Sequence, residues 1–306
     1  MDRGLRFWIE ANRLMSHVPG ITCLTVTQDD RRFELLTRSI RCFCRQTYPC
    51  KALLIVSDGS RKYAHRIDEW LDGLGRDDIR HVYVPGRRRL GEARNLSVAY
   101  AEGHYLCQWD DDDLNHPQRL EMQFADMNEK GADASLMEDQ LQFFYDTSEL
   151  LWLSWNPDLI PGTLLCRREC LERHPYQKLS RGEDACIREI LRNRENLATL
   201  SGLGYLNVYT YSGLNVYPRR HHRQIRFSHD PGFVTGRLGI LERELPAYGM
   251  SLSDVTIVGA GGKRTARLSS QLLRSVRKRY HWARNRLYAG RGPLPRANRR
   301  AASSGR

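Results

Sequence analysis

Between Ile21 and Trp109 short β-rich runs alternate with segments of helical periodicity, and this alternation restricts the fold more than any other feature of the chain. Strands joined through helices pair in parallel, because each crossover must return the chain to the same end of the sheet. The strands read as 21–27, 52–57, 79–84 and 105–109. Phe33, Leu36, Ile40 and Phe43 give one apolar helix face, and Pro49 closes that unit. Further helices fit 62–74 and 92–102, and another starts at Pro117, whose fixed φ suits a first helical turn. The first half is therefore predicted to be α/β with a mostly parallel sheet. Past Lys130 the alternation fades. Residues 135–145, 150–153 and 163–167 read as strands of a smaller, partly antiparallel layer. Helix returns at 183–192, and 205–211 is a last strand before the polar, His-rich stretch 218–229.

A chain of 306 residues with 41% hydrophobic content can bury a substantial core. Its charge of +12 is unevenly placed: residues 263–306 hold 14 Lys and Arg and no acid, which leaves 34 basic and 36 acidic side chains before them. The body is thus close to neutral, and aromatic interleaving in the tail is limited to Tyr280, Trp282 and Tyr288, so nucleic acid is not the expected partner. Leu273, Val276, Tyr280, Ala283 and Leu287 can share one helical face with Arg274, Arg277, Lys278 and Arg284 around it. That pattern suits an anionic membrane surface, and a disordered, solvated extension remains open beside it. No apolar run approaches the roughly 20 residues needed to cross a bilayer, and charges interrupt residues 1–18, so neither a span nor an export signal is expected. The eight cysteines lack CxxC spacing and read as free thiols. A cytoplasmic protein, peripheral on the inner membrane face where the tail binds, is the expectation.

The strongest chemical signal is Gln108-Trp109-Asp110-Asp111-Asp112-Asp113, at the end of the fourth strand. Four consecutive carboxylates repel one another unless a cation sits among them. Hard oxygen ligands suit Mg or Mn, which take one or two protein carboxylates and fill their shell with substrate phosphates and water. The position suits a ligand too, because open α/β sheets bind at the carboxyl ends of their strands. Alone, the run serves equally as a solvated turn or a helix cap before Pro117.

Neighbouring runs make the signal specific. Leu90-Gly91-Glu92-Ala93-Arg94-Asn95, Ala101-Glu102-Gly103-His104-Tyr105, and Asp110 to Asp113 with Pro117 and Leu120 resemble the donor-site block of family 2 glycosyltransferases. Val26-Thr27, Gln46-Thr47-Tyr48-Pro49 and Leu54-Ile55-Val56-Ser57-Asp58-Gly59-Ser60 resemble that family's earlier units, in the same order across residues 20–120. The resemblance implies a GT-A fold: a Rossmann-like, mostly parallel sheet with helices on both faces, a smaller antiparallel acceptor-side layer and, here, a basic C-terminal extension. It implies a nucleotide diphosphate sugar as donor, most simply a UDP-sugar, and a glycan, glycolipid or protein-glycan acceptor. Asp58 would accept a hydrogen bond from the base beside Thr27, Arg94 would lie near the diphosphate, and Asp110 and Asp111 would face the donor. Asp112, with Asp110, would hold the divalent metal. Gly182-Glu183-Asp184 is similar to the family's catalytic pair, with Asp184 as base and Glu183 orienting or capping. Tyr211-Ser212-Gly213-Leu214-Asn215 followed by His221-His222 is similar to a segment in which a His, here His222, completes the metal shell. The implied division is an N-terminal helical extension (1–19), a GT-A domain (20–230, split into a nucleotide-sugar half 20–130 and an acceptor half 131–230), a linker (231–262) and the basic tail (263–306).

The chain also departs from the pattern. Ser57 stands where an acid often precedes Asp-Gly-Ser, and the loop Gln28-Asp29-Asp30-Arg31 is longer than the usual one. Arg223-Gln224-Ile225-Arg226 does not match the QxxRW motif of processive synthases, which points to addition of a single sugar. A sugar nucleotidyltransferase would share the sheet and the acids, but such enzymes carry a Gly-rich loop after the first strand, and residues 27–31 contain no Gly. A nucleic-acid-binding protein acting through its tail is the non-enzymatic alternative.

Overall fold

The computed structural model describes residues 20–154, 159–224 and 231–258. The expected N-terminal extension (1–19) and basic tail (263–306) lie outside the described residues. The first half is the predicted alternation: β1 (Ile21–Thr27), α1 (Phe33–Cys44), β2 (Lys51–Ser57), α2 (Arg61–Leu74), β3 (Ile79–Tyr83), α3 (Leu90–Tyr100) and β4 (Tyr105–Gln108). β1 pairs in parallel with both β2 and β4, and β2 with β3. Two short signals set the length of α2. The Ser60 hydroxyl accepts the Tyr63 N–H at its start, and Gly75 ends it with φ 61°, a conformation that a side chain would strain.

The second half comprises β5 (Leu114–Asn115), α4 (Arg119–Glu129), β6 (Ala134–Met137), β7 (Asp139–Phe144), β8 (Glu149–Ser154) and β9 (Ile160–Arg167). After these come α5 (Arg168–Arg173), α6 (Ala185–Arg194), β10 (Leu197–Leu200), β11 (Asn207–Tyr211), α7 (Arg219–Gln224), α8 (Pro231–Glu244) and β12 (Thr256–Ile257). Among the described residues the strands form a seven-stranded sheet, ordered β10-β6-β9-β4-β1-β2-β3, and a five-stranded sheet, ordered β12-β8-β7-β11-β5.

Alternate residues of the central strands feed two cores, as the two-residue period of a strand demands. Cys23, Leu53, Ile55 and Cys107 face Leu36, Ile40 and Phe43 of α1 with Tyr63 and Ile67 of α2. Leu24, Leu54, Val56 and Leu106 face Val98 of α3 with Ile187 and Leu191 of α6. Helices therefore cover both faces of the main sheet. All eight cysteines are free, five of them fully inside these cores.

Four expectations shift. The strand expected over 135–145 breaks at Glu138, whose N–H donates to Leu200 O at 2.9 Å; β6 stays in the main sheet and β7 enters the second. Residues 163–167, expected in the added layer, belong to β9 inside the main sheet, antiparallel to both β4 and β6. Helix α4 begins at Arg119 because Pro117 lies in the preceding turn, its carbonyl accepting the Thr47 N–H at 2.8 Å. Residues 231–258, expected within a linker, carry α8 and β12 and bury Leu238, Leu241, Leu245, Leu252, Val255 and Ile257 against the main core. Gly232, Gly236, Gly239, Pro246 and Gly249 dilute the periodicity that would have announced them.

Candidate active site

Because β1, β2 and β4 are parallel, their carboxyl ends bring Thr27, Asp58 and the acidic turn to one edge of the sheet. The turn is anchored by fully buried Trp109, whose N–H donates to Leu24 O at 3.0 Å while its carbonyl accepts from Thr25 Oγ1 at 2.7 Å. Beyond it each of the four aspartates has its own partner. Asp110 Oδ1 is 2.9 Å from Arg94 Nη2. Asp111 is held bidentately by Arg32, Nε to Oδ2 at 3.0 Å and Nη2 to Oδ1 at 2.5 Å. Asp112 Oδ2 takes Arg32 Nη2 at 2.9 Å and the Asn215 amide at 2.9 Å. Asp113 Oδ1 accepts the Thr210 N–H at 3.1 Å, and burial pushes its carboxyl well above the usual range. Burial raises Asp112 to about 6, with Arg32 acting in the opposite sense. The cations that let four acids stand in sequence are thus, in part, arginines of the chain itself.

Asp58, at the carboxyl end of β2, is only 2% exposed. Its Oδ2 accepts from Gln28 Nε2 at 2.9 Å and from the Arg88 N–H at 2.6 Å, whereas Oδ1 is buried without a hydrogen-bond partner. A buried, unpaired carboxylate oxygen is costly, so one aimed at a donor from a ligand is the economical arrangement. Thr27 Oγ1 is 2.7 Å from the Tyr63 hydroxyl, on the first helical turn beyond Asp58. The next residue must be small, since a Cβ on Gly59 would come within 2.9 Å of Gln28 O.

Arg94 joins this edge to the second carboxylate pair. Besides Asp110 it binds Glu183, Nε to Oε1 at 2.9 Å, and all three side chains come from different elements. The approach depends on Gly91, one turn earlier on α3: its N–H donates to Leu179 O at 2.9 Å, and a Cβ there would lie 1.8 Å from Gln177 O. Asp184 is at the N-terminus of α6, and burial, then the neighbouring Glu183, raises its carboxyl to about 6.

Two expected contacts are placed otherwise. Asp111 is turned to Arg32 and is 4% exposed. His222, expected to complete a metal shell, is fully buried on α7, stacked on Tyr209 at 4.7 Å, with Gln142 3.3 Å from Nδ1 and the Tyr209 hydroxyl 3.4 Å from Nε2. Burial lowers it to about 4, so the ring is neutral, and its partners are aromatic and amide groups instead of carboxylates. Among the described residues no three His, Cys, Asp or Glu side chains gather as a metal cage. A cation that keeps water and substrate phosphates needs only one or two protein carboxylates. Asp112 Oδ1 and Asp110 Oδ2 have no cationic partner among the described residues, so the donor set fits a hard divalent ion. Sequence reasoning missed the roles of Arg32 and Gln28, which belong to no motif, and gave Asn215 a place in a motif without its partner; all three reach their partners only through the fold.

This mixed α/β domain, with its mostly parallel sheet, shares the GT-A architecture of solved glycosyltransferase structures. The family model described as Glycosyl transferase family 2 matches residues 30–173 of this chain. The uncharacterized glycosyltransferase MJ1057 of Methanocaldococcus jannaschii is 30% identical over 120 residues, covering 39% of this chain and 40% of that protein. The chain spans less than half the length of the curated relatives it matches. S. aureus TarS 1–349 in complex with UDP-GlcNAc shares the fold at TM-score 0.52 and 14% identity, covering 76% of this chain and 73% of that one. The mannosyltransferase PcManGT from Pyrobaculum calidifontis, in complex with GDP-Man and Mn2+, does so at TM-score 0.50 and 14% identity, covering 95% and 84%.

Proposed function

We propose that the protein transfers a single sugar from a UDP-sugar to an acceptor hydroxyl on a glycan, glycolipid or protein glycan, with inversion at the anomeric carbon. The observation that carries this reading is the ion-pair chain Asp110–Arg94–Glu183, which ties the acidic turn to the carboxylate pair containing Asp184. A nucleotide-sugar site and a general base are thereby held in one rigid geometry, as displacement at the sugar carbon requires. Asp58 Oδ1 accepts the uracil N3–H, with Thr27 beside it. Asp184 removes the proton from the acceptor hydroxyl as its oxygen attacks the anomeric carbon. The bond from that carbon to the diphosphate oxygen breaks, and the electron pair leaves with the diphosphate. With a carboxyl raised to about 6, Asp184 is ionised at neutral pH yet more basic than an ordinary aspartate. Glu183, fixed by Arg94, holds the loop that presents it. Asp112 and Asp110 would hold Mn or Mg, which when bound supplies positive charge against the leaving diphosphate.

Calorimetric titration of UDP tests the nucleotide pocket. UDP should bind wild-type protein and bind Asp58→Ala at least about tenfold more weakly, since a hydrogen bond to a charged acceptor is lost. Equal affinities would place the nucleotide elsewhere.

A further inference from the structure

The acidic turn already contains a cation before any ligand arrives, and it touches the very carboxylate best placed for a metal. Arg32 Nη2 lies 2.5 Å from Asp111 Oδ1 and 2.9 Å from Asp112 Oδ2, and its Nη1 donates to Leu214 O at 2.6 Å. The Arg32 side chain is 14% exposed, Asp111 5% and Asp112 10%, so solvent screens these charges weakly. A divalent ion arriving alone at Asp112 Oδ1 would share its carboxylate with a guanidinium on the other oxygen and be repelled by it. An ion arriving with a nucleotide diphosphate brings compensating negative charge, and the guanidinium then gains a second anionic partner.

We infer that Arg32 is the resident counter-cation of the acidic turn: it depresses affinity for bare divalent metal and makes metal and nucleotide diphosphate bind as a unit. This rests on the reading of the turn as the metal and nucleotide site. A purely structural Arg32–Asp111 ion pair predicts something else, that losing Arg32 disorders the turn and weakens metal binding.

Binding of Mn2+ to the full chain, followed through the electron paramagnetic resonance signal of free Mn2+, separates the two. Wild type, Arg32→Met and Arg32→Lys are titrated with and without UDP, and thermal melting confirms that each is folded. Without UDP, Arg32→Met should bind Mn2+ at least about tenfold tighter than wild type, since even water-screened removal of one unit charge a few ångströms from a divalent ion is worth about that much. Arg32→Lys, which keeps the charge and loses the fork, should stay within about threefold of wild type. UDP should tighten Mn2+ binding strongly in wild type and less in Arg32→Met. Unchanged or weaker binding by Arg32→Met, or equal tightening in Arg32→Lys, overturns the role of Arg32 while leaving the metal site standing. If none of the three binds Mn2+ even with UDP, the parent reading of the turn fails and this inference fails with it.

Discussion

Asp184 shows how a single residue ties function to stability. Its carboxyl is raised from 3.8 to about 6 in the fold, first by burial and then by Glu183. The folded state therefore holds this proton more tightly than the unfolded chain does, so the group favours folding below about pH 4 and that favour is lost as pH rises through 6. Asp184→Asn removes a buried charge: it should melt higher than wild type at pH 7 and close to it near pH 4. The same substitution removes the proposed base, so transfer should fall about 10²- to 10⁴-fold while donor binding survives. In wild type, transfer should decline on acidification through about pH 6, where Asp184 and Asp112 both take up protons. Parallel melting and transfer assays across pH check all three, and a variant with normal transfer would move the base elsewhere. Asp58, the four consecutive aspartates and Glu183-Asp184 were legible in the sequence because each signal is a short local run. The contacts of Arg32 with Asp111 and of Asn215 with Asp112 were not, since the partners lie 79 and 103 positions apart. The ring partners of His222, Gln142 on β7 and Tyr209 on β11, were likewise announced by no local pattern.

Between elements, the closest approach at the site is that of α3 to the loop before α6. Gly91 permits it: an added Cβ would sit 1.8 Å from Gln177 O and 3.1 Å from the Cβ of Glu183, and backbone cannot move aside as a flexible side chain can. Gly91→Ala should cost about 1–3 kcal/mol, visible as a lower melting temperature. It should also reduce transfer more than UDP affinity, because the displaced loop carries Glu183 while Asp58 directly follows β2. Equal losses in both would mean that the loop does not present the base. The helices and strands up to β4 were readable because each buries one face or alternates with period two. Strand membership was not: β6, β7 and β9 have the composition of strands, but which sheet each joins depends on pairing partners far along the chain.

For the whole molecule, the described structure joins the strands of its first half to β6 and β10 through β9, which lies between β4 and β6 in one continuous sheet. Basic charge is concentrated outside it, in residues 263–306. Removing that tail should leave melting of the domain unchanged and abolish co-sedimentation with anionic liposomes; equal sedimentation of both forms would remove the proposed membrane role. No helix among the described residues is long and apolar enough to cross a membrane. In the proposed reaction the acidic turn activates a nucleotide sugar. Its most direct measurement is nucleoside diphosphate release from a panel of nucleotide sugars with Mn2+ or Mg2+, comparing wild type with Asp112→Asn. The account predicts slow release from at least one UDP-sugar by wild type, stopped by chelator and nearly abolished in Asp112→Asn. Release that continues undiminished in the Asn variant, or none from any nucleotide sugar when acceptor extracts are supplied, would contradict it.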